Sequence, residues 1–139
     1  MYVDTSVLVK LFLREEDSDK CEAAVGRSTL VSSYLLRCEF RSALLRRVAL
    51  GTVAESQKEE VWQEFESNVA DKRIVLVPLD DLVVKEAANI LDLTYPHVHL
   101  RTLDALHLAT FVSLDAGPLL TTDLRMRQAA RRLDLNLAF

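Results

Sequence analysis

The chain is poor in the residues that mark special architectures. Its only cysteines, Cys21 and Cys38, fall in segments that read as helix, so no disulfide framework is expected, and both read as small buried apolar residues suited to a reducing compartment. Three glycines and three prolines exclude collagen-like and low-complexity sequence, and a 50% hydrophobic content excludes disorder. No apolar run approaches the roughly 18 residues of a membrane-spanning helix. The opening, MYVDTSVLVK, lacks a basic n-region and a small-residue cleavage site, so a cytoplasmic location is expected. A basic excess is missing too: 17 Lys and Arg stand against 21 Asp and Glu, for a net charge of −4. That excludes nucleic-acid binding through a broad basic field and leaves only local contacts.

What is present is the material of one domain over residues 1–139, long enough to bury roughly two thirds of its extended surface. Short apolar runs alternate with helical patterns, without repeat or linker. Strands are expected at Tyr2-Val3, Thr29–Val31, Ile74–Val77, Leu119–Thr121 and Leu135–Ala138. Helices are expected over Ser6–Leu13, Ser18–Val25, Leu35–Leu50, a segment opened by a Thr52–Glu55 capping box, a segment capped by Asp80 and running to Thr94, Thr102–Leu114 and Leu124–Leu133. Leu36, Phe40, Leu44 and Val48 recur every fourth residue, with Gly51 as the stop. Strands separated by helices imply a parallel sheet covered on both faces. The two consecutive long helices after the second strand imply a helical hairpin inserted into that plan.

Four carboxylates stand where an ordinary fold prefers something else. Asp4 directly follows the first strand, and Asp123 follows the strand ending at Thr121. Both should lie at the carboxyl edge of a parallel sheet, where ligands bind, although each also reads as a simple helix N-cap. Glu39 shares a helical row with Leu35 and Ala43 beside the apolar stripe. A glutamate there must be ion-paired, protonated or bound to a cation, and Arg46, seven residues on, is a possible partner. Asp104 sits one turn before Leu108, where the helix dipole alone would favour it. Carboxylates brought together repel one another and rise in pKa unless a cation intervenes. Mg²⁺ or Mn²⁺, hard ions with oxygen ligands, would resolve the conflict, and the chemistry such a centre performs is metal-assisted hydrolysis.

At these same residues the sequence resembles a known family. Tyr2-Val3-Asp4-Thr5-Ser6-Val7-Leu8-Val9-Lys10 resembles the opening of PIN-domain ribonucleases, above all the VapC toxins of prokaryotic toxin–antitoxin pairs. Ser32 to Glu39 resembles their second-acid segment, Leu103 to Ala109 their third-acid helix, and Leu120 to Arg125 followed by Ala129-Ala130 the fourth. The resemblance implies a three-layer α/β/α PIN-like domain with a short central parallel sheet. It implies a Mg²⁺ or Mn²⁺ site, endonucleolytic cleavage of RNA by metal-activated water, homodimerisation and inhibition by a cognate antitoxin. Asp4, Glu39, Asp104 and Asp123 carry over to the family's four acids, with Asp4 and Asp104 as the expected direct ligands. Thr5, Ser6 and Thr121 would be hydroxyls that steady the carboxylates. Where the family often has glycine after its last helix, this chain has Asp134, at some local cost.

Twelve of the 17 basic residues are arginine, which suits bidentate phosphate contacts, and Arg125, two residues after Asp123, is the expected one. Leu11, Phe12 and the Trp62 region are expected to offer apolar groups to a partner helix or dimer seam. His97 and His99 read as loop residues, and His107 as a packing residue within reach of Asp104. The alternative function is a catalytically weak PIN-fold module that binds RNA or protein without cutting. A phosphoacceptor domain would need an acid pair after the first strand and a late lysine. Asp4 is followed by Thr5 and Ser6, and no lysine follows Lys85.

Overall fold

A computed structural model describes residues 1–138. In chain order the elements are β1 (Tyr2–Val3), α1 (Thr5–Phe12), α2 (Ser18–Val25), β2 (Leu30–Ser33), α3 (Leu35–Ala49), α4 (Glu55–Ala70), β3 (Ile74–Val77), α5 (Asp81–Thr94), α6 (Thr102–Val112), β4 (Leu119–Leu120) and α7 (Leu124–Arg132). The sheet order is β3-β2-β1-β4, with every pairing parallel.

The strands are short, with β1 and β4 fully buried and β2 largely so, and strand alternation sorts their side chains between two cores. Val3 and Leu120 join Leu8, Leu36, Phe40 and Phe65 on one face of the sheet. Tyr2 and Leu119 join Ile90, Leu108, Met126 and Ala129 on the other. These two cores, one under α1–α4 and one under α5–α7, make the three-layer α/β/α arrangement that the sequence implies.

The expected hairpin is α3 with α4. Its stripe of Leu36, Phe40 and Leu44 is fully buried, and Phe40 packs against Phe65 with ring centroids 5.2 Å apart. Past the end of α3, Gly51 takes φ 72°, while its N–H and that of Thr52 bond back to Val48 and Arg47. Such a reversal closes a helix C-terminus and favours glycine. It also overturns the expected capping box. The Thr52 hydroxyl donates to the Arg47 carbonyl at 3.1 Å, and α4 begins at Glu55 without a side-chain cap.

Other details refine or depart from expectation. Leu11, Phe12 and Trp62 are partly buried against the first core, with Phe12 and Trp62 both against Phe40 and Phe65. Cys21 is buried, but Cys38 is exposed because it faces away from the stripe formed by Leu36 and Phe40. The expected last strand shrinks to one parallel bridge between Leu119 and Leu137, since its two-residue neighbour β4 offers little to pair with. Asp134 does take a left-handed conformation, φ 54°, after α7. Among residues 1–138 no helix is long and apolar enough to cross a membrane.

Asp80 caps α5 as expected, accepting from the Val83 N–H at 2.9 Å. Asp80→Ala is expected to cost about 1 kcal/mol of stability. A urea unfolding titration checks it, and an unchanged midpoint would show the cap to be idle.

Candidate active site

The register of β1 on β4 pairs Tyr2 with Leu119 and Val3 with Leu120. One step further puts Asp4 beside Thr121, just past the carboxyl ends of both strands. The two side chains meet there. The Thr121 hydroxyl donates to Asp4 Oδ2 at 2.7 Å and accepts the Asp123 N–H at 3.1 Å. Asp4 Oδ1 accepts from the Ser6 hydroxyl at 2.7 Å and from the Val7 N–H at 3.2 Å. Ser6 Oγ in turn accepts from the N–H and hydroxyl of Thr122, each at 3.0 Å. Asp123 Oδ1 caps α7 through the N–H groups of Arg125 and Met126. The N-cap reading therefore holds for both aspartates, but it does not exhaust them.

Glu39 projects from the second turn of α3. Its Oε2 accepts the Thr5 hydroxyl at 2.7 Å and lies 2.6 Å from His107 Nε2. The possible pairing with Arg46 does not form, since seven residues of helix separate the two by roughly 10 Å along the axis. His107 departs from expectation as well, reaching Glu39 and Tyr2 rather than Asp104. Its Nδ1 lies 2.9 Å from the Tyr2 hydroxyl, which accepts the Ser33 N–H at 3.1 Å. With a neutral imidazole, one assignment satisfies a carboxylate at one end and an N–H donor at the other. Ser33 donates to Tyr2, Tyr2 to His107 Nδ1, and His107 Nε2–H to Glu39. Tyr2 and His107 are buried, so this chain of hydrogen bonds fixes Glu39 from the interior. Tyr2 escaped the sequence reading, although strand alternation places it on the same face as Asp4.

The four carboxylates line one small cavity of about 130 Å³, together with Thr5, Ser6, His107 and Met126. Burial pushes the Asp4 carboxyl above its ordinary value, against the pull of His107 and its hydrogen-bond donors. Burial also raises Asp104, and the neighbouring charge of Asp123 raises it further. For Glu39 the upward pull of burial is outweighed by the His107 contact and the Thr5 hydroxyl, and its carboxyl falls below the usual range. One carboxylate is thus held ionised beside two that resist ionisation, the pattern that concentrates at functional sites.

Among the described residues no three His, Cys, Asp or Glu side chains close tightly enough to cage a metal ion unaided. The donor set nevertheless fits a hard divalent cation that keeps its water. In Glu39, Asp104 and Asp123 one carboxylate oxygen is spent on the protein, and the other accepts no hydrogen bond from the described residues. Mg²⁺ characteristically takes only one or two carboxylates and fills the remaining positions with water and phosphate. His97 and His99 lie apart on an exposed loop, on either side of buried Val98.

The small cavity opens beside a larger cleft of about 650 Å³, which shares Thr5, Ser6, Glu39 and Asp104 with it. Arg125 is exposed and lines neither. The basic groups on the cleft are Lys10, Arg46, Arg47 and Arg101, which sequence order alone did not single out.

Thr121→Val keeps the shape of a fully buried side chain but removes the hydroxyl that links Asp4 to Asp123. It is expected to destabilise the fold by about 1–2 kcal/mol, because the Asp123 N–H loses its acceptor. Chemical denaturation measures this, and a neutral result would mean that water replaces the hydroxyl.

A parallel sheet that gathers acids at its carboxyl edge, with two more delivered by flanking helices, defines a class of domain. The PIN domain family model matches residues 1–132, and the chain belongs to that family. Within it the chain is of the VapC type. It is 36% identical over 138 residues to Ribonuclease VapC46 of Mycobacterium tuberculosis, an alignment covering 97% of this chain and 93% of the relative.

Proposed function

We propose that this protein is a divalent-metal-dependent endoribonuclease acting as the toxin of a toxin–antitoxin pair. The observation that carries the reading is the cavity shared by Asp4, Glu39, Asp104 and Asp123, three of which keep a free carboxylate oxygen. Membership of the VapC type supports it, since the relative is a ribonuclease. RNA as substrate, a cognate antitoxin, a homodimeric state and a cytoplasmic location belong to the same reading.

Asp104, which keeps a free oxygen, and Asp4, whose Oδ2 accepts only the Thr121 hydroxyl, would hold Mg²⁺ or Mn²⁺ directly, with Glu39 and Asp123 binding through water or a second ion. When bound, the ion would offset the gathered negative charge, lower the pKa of water and polarise the phosphodiester. The protein's own part is positioning. Ser6 and Thr121 fix both oxygens of Asp4, and the Asp123 carboxylate is locked by the start of α7. Glu39, held ionised by Thr5 and His107, has Oε1 free to accept a hydrogen bond from the attacking water. The two hydroxyls that line the cavity, Thr5 and Ser6, act here as donors that hold the Glu39 and Asp4 carboxylates.

The test is incubation of purified protein with RNA in Mg²⁺, Mn²⁺ or chelator. Cleavage is expected only with the divalent ion and should leave 5′-phosphate and 3′-hydroxyl ends. RNA binding without cleavage in either metal would replace the nuclease by the binding module.

A further inference from the structure

A negatively charged protein whose candidate catalytic cavity is built from carboxylates must still attract a polyanion. The cleft beside that cavity shows how. Four basic side chains line it, but they are not equivalent. Arg47 is ion-paired with Glu15, and Lys10 lies 3.8 Å from the same carboxylate while donating to the Glu16 carbonyl at 2.8 Å. Glu15 thus holds these two inside the wall and offsets their charge. Arg46 and Arg101 are exposed, and neither guanidinium forms an ion pair within 4.0 Å among the described residues, although the Arg101 side chain lies at the start of α6 and its charge pulls on the Asp104 carboxyl. Arg46 lies two turns beyond Glu39 on α3, and Arg101 immediately precedes α6, three residues before Asp104. The two guanidiniums therefore line one cleft, Arg46 on the helix that carries Glu39 and Arg101 at the N-cap of the helix that carries Asp104.

We infer that Arg46 and Arg101 are the phosphate-binding residues of this protein, gripping the backbone of an RNA strand laid along the cleft while Lys10 and Arg47 stay tied to Glu15. The inference rests on the nuclease reading for the identity of the polyanion and deepens it by naming the groups that hold it. An exposed guanidinium outside any salt bridge is suited to phosphate, because its planar fork matches two phosphate oxygens. Arg46, roughly 10 Å along α3 from Glu39, reaches a phosphate removed from the one being cut. Arg101, next to Asp104, reaches one close to it. Phosphate contacts of this kind position a strand without reading its bases.

The test is the salt dependence of binding, measured on the full-length protein in EDTA so that no cleavage occurs. The probe is a fluorescently labelled single-stranded oligoribonucleotide of mixed sequence. Each of Arg46→Ala and Arg101→Ala is expected to lower the slope of log K against log salt by about 0.7, the value for one lost phosphate contact on a single strand. Each should also weaken binding several-fold at low salt, and the double variant should lose about twice the slope. The control is Arg73→Ala, which removes the same charge at the amino edge of the sheet, just before β3, and should leave the slope unchanged. All three side chains are exposed, so thermal melts should confirm intact folds. Parental slopes in both cleft variants would overturn the inference, as would an equal loss in Arg73→Ala. Cleavage in Mg²⁺ that persists with parental slopes sinks this assignment alone. Arginine-dependent binding without cleavage in any divalent metal sinks the nuclease reading and leaves the binding site standing.

Discussion

Asp4→Asn is expected to lower metal-dependent RNA cleavage by about 10²–10³-fold, the range seen when one preorganised electrostatic group is removed from an active site. The substitution is nearly isosteric. Asparagine keeps a carbonyl oxygen to accept from Val7 and Ser6, so the cap of α1 survives. What disappears is the negative charge at the carboxyl edge of β1 and β4, which the proposed ion would bind directly, together with the Oδ2 acceptor of the Thr121 hydroxyl. Initial rates in Mg²⁺, compared at equal folded fraction by thermal melting, give the answer. Parental activity in a folded Asp4→Asn protein would remove Asp4 from the site and the shared cavity from the argument.

Much of the frame is legible in the sequence because local signals are strong there. The four-residue recurrence of Leu36, Phe40, Leu44 and Val48 corresponds to a helix face that is fully buried to Leu44 and partly at Val48, and Asp80 caps its helix as its position implies. The acids at the strand ends are legible because a parallel sheet has only one edge where loops collect ligands. Their company is not. That His107 turns to Glu39 and Tyr2 depends on how α6 crosses the sheet, which no spacing of residues on α6 records. Arg125 and Arg46 look alike in sequence, both following an acid on a helix. Only the packing of α3 against the cleft separates the one that lines it from the one that does not. The Thr52–Glu55 pair has the capping-box spacing, yet the reversal at Gly51 turns the Thr52 hydroxyl back to donate to the Arg47 carbonyl, and it accepts no N–H of α4. In each case a short-range rule names a capacity, and tertiary contact decides whether it is used.

Asp104→Asn should produce a paired signature that separates a catalytic ligand from a helix cap. Burial first, and the charge of Asp123 second, raise the Asp104 carboxyl above its ordinary value of 3.8. A folded state that holds a proton more tightly than the unfolded chain gains stability that is complete below the ordinary value and is lost as pH rises through the folded one. At neutral pH the ionised Asp104 is therefore a net cost to the fold. Asparagine removes that cost, so the variant should melt higher than the parent near pH 7, and the difference should close as the pH falls below about 4. Its side-chain oxygen can still accept the Arg101 N–H, so the start of α6 is kept. Cleavage should fall about 100-fold or more in the same variant. Mg²⁺ or Mn²⁺ closes the case, since an ion bound only by the folded state stabilises it by about 2.7 kcal/mol at a hundredfold excess over its dissociation constant. The parent should gain melting temperature as the ion is added, and Asp104→Asn should gain much less. A buried cap alone predicts the higher melting temperature but neither of the other effects: activity would persist, and both proteins would respond to the ion alike. A variant that is more stable, inactive and indifferent to divalent ions is what a carboxylate kept for chemistry at the expense of the fold requires.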